Sequence, residues 1–283
     1  MDKFILSGFA DEICDSFEEQ LAYLNKLAIP CVEVRGVDGK NVSSLTEEEA
    51  YAAKQKLDAA GITVSAIGSP IGKIGIDDDF DAHIKVFRNT LKVAGILGTK
   101  RIRIFSFYIP SGEDYKAYKT PVMERLRALL AIADEEGYIL CHENEKGIYG
   151  DSPEGCLDIM KEFGGCIRCV FDHANFINGG FEPFPYAYEM LKDYIDYMHI
   201  KDAKPDGIYP AGMGDGRIKE TLELIKSQPK FTGILSIEPH LTVFTGLKDL
   251  ESKEKSIVVN KYASKPEAFT AAADAIKGIL AEL

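Results

Sequence analysis

The feature that most constrains this chain is an alternation of short β-rich runs with longer amphipathic runs, sustained along its whole length. Strand-like runs fall at 4–9, 31–35, 62–67, 101–105, 138–143, 167–172, 195–200 and 233–238. Between them lie helical patterns. The first, 16–27, places Phe17, Leu21, Leu24 and Leu27 at spacings of three and four, so they share one helix face. The second starts at Ser44 or Thr46, with Glu47, Glu48 and Glu49 where carboxylates favour a helix N-terminus. Others are expected at 80–97, 118–136, 153–162, 185–193, 218–228 and 266–283. Gly61, Gly98 and Gly137 stand where a helix C-cap glycine belongs. Eight strands, each followed by a helix, are expected to close as a parallel (β/α)8 barrel. A doubly wound open sheet would give the same alternation, but the count of eight and the placement of polar residues favour closure. Residues 1–283 read as a single barrel domain, with no internal repeat and one long polar insert, 241–265, before the last helix.

Length and composition agree with this. An α/β barrel occupies about 250 residues, and this chain has 283, of which 46% are apolar. The formal charge of −12 opposes binding to nucleic acid or to an anionic membrane, since both require a positive surface. Met1-Asp2-Lys3 leads straight into a strand without a signal-peptide core, and no apolar stretch is long enough to span a bilayer, so a cytoplasmic protein is expected. The six cysteines are scattered, and Cys31, Cys141 and Cys169 sit in apolar runs, as reduced core residues do. Cys166-Ile167-Arg168-Cys169 is a lone CxxC, read as a strand entry because a structural zinc site needs a second pair. Gly212-Met213-Gly214-Asp215-Gly216 lacks the spacing of a dinucleotide loop and is read as a mobile loop.

The chemistry gathers at one end of the strands. The fifth run closes on His142-Glu143-Asn144-Glu145, the sixth on Phe171-Asp172-His173, the seventh on His199-Ile200-Lys201-Asp202 and the eighth on Glu238-Pro239-His240. In a barrel these ends converge on the mouth where active sites of the fold lie. A carboxylate closing an apolar strand should be paired or bound. One such residue alone would be an ordinary loop carboxylate; four on successive strands are not expected by chance. Three carboxylates and one imidazole, Glu143, Asp172, His199 and Glu238, suit one divalent ion, Mn²⁺ first, with Mg²⁺, Co²⁺ or Zn²⁺ also compatible. Glu145 shares a strand face with Glu143 and is the alternative ligand. His83, in a helix, reads as a surface or packing residue; His142 and His173 lie on the opposite strand face from the ligands beside them.

These residues resemble the xylose-isomerase-like barrel superfamily of sugar-phosphate isomerases and epimerases, over nearly the whole chain. The motifs are Phe9-Ala10-Asp11-Glu12, Glu33-Val34-Arg35-Gly36, Gly68-Ser69-Pro70-Ile71-Gly72-Lys73, Arg103-Ile104-Phe105-Ser106-Phe107, and the strand ends above, extended to Phe171-Asp172-His173-Ala174-Asn175-Phe176 and Ser236-Ile237-Glu238-Pro239-His240. The resemblance implies that the metal is held by Glu143, Asp172, His199 and Glu238. It implies too that Glu143 and Glu238 remove and return the proton next to a carbonyl through an enediolate. The candidate substrate contacts are Glu33, Arg35, Ser69, Lys73, Arg103, Asn175, Lys201 and His240. Arg35, Lys73, Arg103 and Lys201 would hold a phosphate or carboxylate; equally, they would form salt bridges with Glu33, Glu145 and Asp202. The monosaccharide 3-epimerases carry a His three residues after the metal Asp and an Arg six after the metal His. This chain has Asn175 and Pro205 there, which argues against ketohexose 3-epimerase activity.

The expected function is a metal-dependent isomerase or epimerase of a small-molecule sugar, sugar phosphate or related polyol. A dehydratase of a polyol or dehydroshikimate-like substrate, and a non-catalytic sugar-binding barrel, are the alternatives. A DNA-repair endonuclease on the same scaffold would need many more histidines than the five present. Barrels of this superfamily often associate, so a homo-oligomer is an expectation of the resemblance.

Overall fold

A computed structural model describes residues 4–242 and 262–283. The eight barrel strands are β1 (Ile5–Gly8), β2 (Cys31–Val34), β3 (Thr63–Ile67), β4 (Arg101–Ile104), β5 (Ile139–Glu143), β6 (Arg168–Asp172), β7 (Ile195–Ile200) and β8 (Ile234–Ile237). Each falls within one residue of its expected position. Parallel ladders join β2 through β8 in chain order, and β8 pairs in turn with β1. The sheet therefore curls until β1 and β2 stand side by side, a nearly closed (β/α)8 barrel.

The helices are α1 (Phe17–Lys26), α2 (Glu47–Ala60), α3 (Phe80–Leu97), α4 (Lys119–Glu136), α5 (Pro153–Glu162), α6 (His173–Asn178), α7 (Tyr188–Leu191), α8 (Ile218–Ile225) and α9 (Lys265–Ala281). Local chemistry sets their ends. Thr46 and Glu49 form a reciprocal capping box at the start of α2, deciding between Ser44 and Thr46. Gly61, Gly98 and Gly137 take the left-handed conformation just past α2, α3 and α4. Between the helices and the barrel wall runs a continuous apolar shell, in which Phe17, Leu57, Phe87, Leu126, Ile159 and Phe269 are all buried. Inside the barrel, Ala66, Cys141, Val170, Tyr197 and Ile234 form a second apolar cluster. It lies under the mouth and supports the polar residues at the strand ends.

Two expectations are corrected, for 185–193 and for the 212–216 loop, and one short helix, α6, was not foreseen. The helix expected over 185–193 is only α7; Pro183 and Pro185 break it, and Phe184 is extended, so 183–187 is a wide turn. Helix α6 follows β6 at once, capped by Asp172, whose Oδ1 accepts the Asn175 N–H at 2.8 Å. The loop read as mobile is instead tied down. Asp202 accepts backbone N–H bonds from Gly212, Gly214 and Gly216 at 2.9, 3.0 and 2.9 Å, and from Ala203 at 2.9 Å. A Cβ at residue 214 would stand 2.2 Å from that carboxylate, so only glycine fits there. The hairpin of Asp202–Lys204 with Gly207–Tyr209 opens this segment.

The six cysteines are free thiols; Cys166 is exposed and Cys169 buried on β6, in keeping with a strand entry. Among the described residues no helix is long and apolar enough to cross a membrane. Most of the insert at 241–265 lies outside the described residues.

Candidate metal and substrate site

Residues two apart on a strand point to the same face. Glu143 closes β5, Asp172 closes β6, His199 is next to last in β7, and Glu238 follows β8. All four side chains are buried, and one ligand atom from each lies within 4.8 Å of the others. His199 Nδ1 is 2.9 Å from Glu143 Oε1 and 3.5 Å from Glu238 Oε2. Glu145 lies beyond the strand and pairs with Lys73 at 2.7 Å, so the structure brings Glu143 and not Glu145 into the cluster.

Cations interleave with these acids. Arg103, on β4, places NH1 3.2 Å from Glu143 and 3.8 Å from Glu238, while NH2 donates to the Gly68 carbonyl at 3.0 Å. Lys201, two residues past His199, lies 3.1 Å from Asp172 and 2.9 Å from Glu238. Arg35, just past β2, bonds Glu238 at 3.1 Å, Glu12 at 3.1 Å and both oxygens of Asp11 at 2.8 and 3.0 Å. Both guanidiniums stack on Phe9, at 4.4 Å for Arg35 and 5.1 Å for Arg103.

Other sequence candidates take supporting positions. Asn175 Nδ2 donates to Glu143 at 3.2 Å and to the Asn144 carbonyl at 2.9 Å. The Ser69 hydroxyl donates to the Arg103 carbonyl and the Ser69 carbonyl accepts from its guanidinium, so Ser69 holds Arg103 rather than facing the mouth. Glu33 was expected to meet substrate; it lies fully buried behind His199, with its oxygens directed at His199 Nε2 and the Tyr197 hydroxyl. The expected bridges from Arg35, Arg103 and Lys201 to Glu33 and Asp202 are replaced by bonds to Asp11, Glu12, Glu143, Asp172 and Glu238; only Lys73 finds its expected partner. His240 Nε2 lies 3.5 Å from Glu238 and 3.6 Å from Glu12, and the His240 backbone N–H donates to Glu12 Oε2 at 2.8 Å. His83 packs in the core, its Nε2 accepting the Gly72 N–H, and His142 and His173 bond Ser106 and Thr221 on the outer face. Asp11, Glu12, Phe9 and Tyr197 were not among the sequence candidates. The first three belong to the Phe9-Ala10-Asp11-Glu12 motif, and Tyr197 shares the His199 strand face, which were the available signals.

Electrostatics follow from this packing. Burial alone would push Glu143 up, but the His199 and Arg103 charges outweigh it and hold its pKa down to about 2. Glu238 is likewise held well below the ordinary carboxylate range, against burial, by Lys201, His240 and His199. For Asp172 burial prevails over Lys201, and its pKa rises to about 7; Glu12 rises to about 8 for the same reason despite Arg35. His199 is held well above 6.5, because Glu143 and Glu33 overcome its burial.

This donor set fits a divalent cation. Six carboxyl groups (Asp11, Glu12, Glu33, Glu143, Asp172 and Glu238) face three permanent cations, Arg35, Arg103 and Lys201, in a nearly dry site. Without a metal the balance is made up by protons on Glu12, Asp172 and His199, and those on the two ligands can give way to a divalent cation. Glu143 Oε2 and Asp172 Oδ2 are buried without a hydrogen bond, although Arg103 and Lys201 stand near them. Three oxygens and one imidazole nitrogen are a usual set for Mn²⁺, Mg²⁺ or Co²⁺.

The model of the xylose isomerase-like TIM barrel family matches residues 21–255. The chain belongs to that family. One relative within reach of sequence comparison is the 2-epi-5-epi-valiolone 7-phosphate 2-epimerase of Actinoplanes sp., 26% identical over 185 residues. That match spans 64% of this chain and 66% of the relative, just under two thirds of its length. Among solved structures, D-allulose 3-epimerase from Methylomonas sp., in complex with D-allulose, superposes with a TM-score of 0.74 at 13% identity, covering 100% of this chain and 98% of that one. The probable 3-DHS dehydratase AsbF of Bacillus anthracis gives 0.73 at 14%, over 97% and 99%. A xylose isomerase-like barrel from Mycobacterium smegmatis, in complex with magnesium, gives 0.68 at 14%, over 98% and 97%. At these identities the structural likenesses show the fold.

Proposed function

We propose that this barrel is a divalent-metal-dependent epimerase or isomerase of a sugar, sugar phosphate or related polyol, with Glu143, Asp172, His199 and Glu238 as the metal ligands. The observation that carries the reading is the convergence of two buried carboxylates, Glu143 and Glu238, on His199 Nδ1 at 2.9 and 3.5 Å, with one ligand atom of each of the four residues within 4.8 Å of the others. The epimerase relative from Actinoplanes supports it. A bound divalent ion would supply a Lewis acid for the carbonyl oxygen on which negative charge develops.

The chain's own residues account for the rest. One carboxylate accepts the proton on the carbon next to the carbonyl, giving an enediolate. In epimerisation the other must first have taken up a proton from solvent; it gives that proton to the opposite face and ends ionised, while the first ends protonated and returns its proton to solvent. Return by the first residue at the neighbouring carbon gives isomerisation. Arg103 and Lys201 are fixed donors beside this pair, and they stabilise charge developing on substrate oxygens without reorganising. Arg35 and Asn175 hold Glu238 and Glu143 in place. Because nearly all these groups are buried, the reaction would run in a low-dielectric site, where each charge acts strongly.

The test is to strip the protein of metal, restore Mn²⁺ and screen a panel of sugars, sugar phosphates and polyols in D₂O. Deuterium is expected to enter at the carbon next to the carbonyl only when metal is present. Full turnover after complete metal removal would refute the reading, and a product lighter by one water would mark a dehydratase instead.

Metal binding should also be linked to protons. Asp172, with its pKa near 7, and His199, held protonated, must both shed a proton before they can ligate. Binding therefore releases protons, and Mn²⁺ affinity is expected to rise as pH goes from about 6 to about 8. Calorimetry in two buffers of different ionisation enthalpy would measure the release; a pH-independent affinity would contradict it.

A further inference from the structure

We propose that Glu33 is a positioning residue for His199: it fixes the imidazole tautomer and raises its donor strength toward the metal, with Tyr197 holding Glu33 in turn. The inference rests on the reading that the quartet binds a divalent ion. His199 presents its two nitrogens to different partners. Nδ1 faces Glu143 and Glu238 at 2.9 and 3.5 Å. Nε2, on the far side of the ring, lies 3.3 and 3.2 Å from the two oxygens of Glu33. If Nδ1 offers its lone pair to a metal, the proton must sit on Nε2, where it donates to Glu33. The Tyr197 hydroxyl donates to Glu33 Oε1 at 2.9 Å. The ring plane is fixed by two edge-on aromatic contacts, Phe9 at 5.1 Å and Tyr197 at 5.6 Å.

Packing needs do not account for this carboxylate. Glu33 occurs within the apolar run Cys31–Val34, and its side chain is fully buried. A buried carboxylate is unfavourable unless paired, and an apolar side chain of similar volume usually serves a core as well or better. Glu33 nevertheless has few partners that could balance its charge. Arg103 directs NH1 to Glu143 and its other nitrogens to the Gly68 and Ser69 carbonyls, and makes no hydrogen bond to Glu33 among the described residues. Tyr197 is neutral. The Arg103 charge also acts on Glu33, but the direct contacts of Glu33 are the imidazole and the Tyr197 hydroxyl, so the imidazole passes part of its charge on to whatever Nδ1 binds. Carboxylate, imidazole and ligand position line up in sequence, and all three of Glu33, Tyr197 and His199 are closed to solvent.

The experiment compares Mn²⁺ binding to metal-stripped wild type, Glu33→Gln and Tyr197→Phe by calorimetry at one pH. It adds thermal unfolding without metal and nitrogen-15 NMR of the His199 ring with the diamagnetic ion Mg²⁺ in place of Mn²⁺. Glu33→Gln keeps the shape and removes the charge, so its Mn²⁺ dissociation constant is expected to rise by about 10–100-fold. Its metal-free unfolding temperature should hold or rise, because a buried charge has gone. Tyr197→Phe, which removes one restraint on Glu33, should show a smaller loss of affinity, and it carries the test if Glu33→Gln does not fold. In wild type with metal, the His199 proton should be found on Nε2. A folded Glu33→Gln or Tyr197→Phe that lowers unfolding temperature but binds Mn²⁺ as wild type does, or a proton found on Nδ1, would overturn the inference and leave the metal reading standing. A folded wild type that binds no Mn²⁺ would overturn the metal reading, and this inference with it.

Discussion

Glu143→Gln and Glu238→Gln are each expected to lower turnover by about 10²–10⁴-fold at saturating metal, the range for losing a positioned acid or base. The amide matches the carboxylate in size, so the change removes charge and proton affinity rather than shape. Each variant also strands a cation. Glu143→Gln leaves Arg103 NH1 without its nearest counter-charge, and Glu238→Gln withdraws one partner from both Arg35 and Lys201. Metal affinity must therefore be measured alongside turnover, and rates compared only where the site is filled. The decisive readout is isotopic. Two carboxylates acting on opposite faces should leave each single variant able to exchange deuterium into the epimer whose proton faces the surviving residue, and unable to exchange the other. Variants that epimerise at wild-type rates, or that lose both exchanges equally at full metal occupancy, would refute the two-base assignment.

Gly72→Ala is expected to destabilise the fold by about 4 kcal/mol or more, in the exceptional tail of single substitutions. Gly72 has φ +88°, and a Cβ there would stand 2.1 Å from the Phe105 carbonyl oxygen and 2.5 Å from its carbon. That backbone cannot easily retreat. Phe105 N–H donates to the Ile71 carbonyl at 2.7 Å, Phe107 N–H to the Gly72 carbonyl at 3.0 Å, and Gly72 N–H to His83 Nε2 at 2.8 Å. Gly112→Ala is the control: its φ is +86°, but nothing lies within 4 Å of the added carbon. It should cost only about 1 kcal/mol, the left-handed penalty alone. Urea unfolding of both variants separates the two contributions. Equal, small losses would show that the β3–α3 turn yields more readily than its hydrogen bonds imply.

The barrel was legible because its strands are apolar runs of uniform length, and because a charge at the close of such a run must find a partner. That logic placed Glu143, Asp172, His199 and Glu238 at one mouth. It stopped at Glu143 against Glu145, which share a strand face; only the end of β5 at Glu143 separates them, sending Glu145 outward to Lys73. Glu33 was legible as important but not as to its direction, since its partners lie 164 and 166 positions away across the barrel. The glycines at 212–216 suggested freedom, because nothing local shows that Asp202, ten residues before Gly212, gathers their N–H groups. The 185–193 pattern had helical spacing, and Pro183 and Pro185 overrode it.

The interleaving of cations and carboxylates at the mouth resembles a small ionic lattice. Arg35, Glu238, Lys201 and Asp172 follow one another in alternating sign, and Arg103 ties Glu143 to the same chain. In such a lattice no ion can turn without disturbing its neighbours of opposite sign. The field over the reacting carbon would thus be set by covalent strand positions before any substrate arrives. Selection among substrates would fall to the loops around that fixed floor, which are free to diverge while the floor stays as it is.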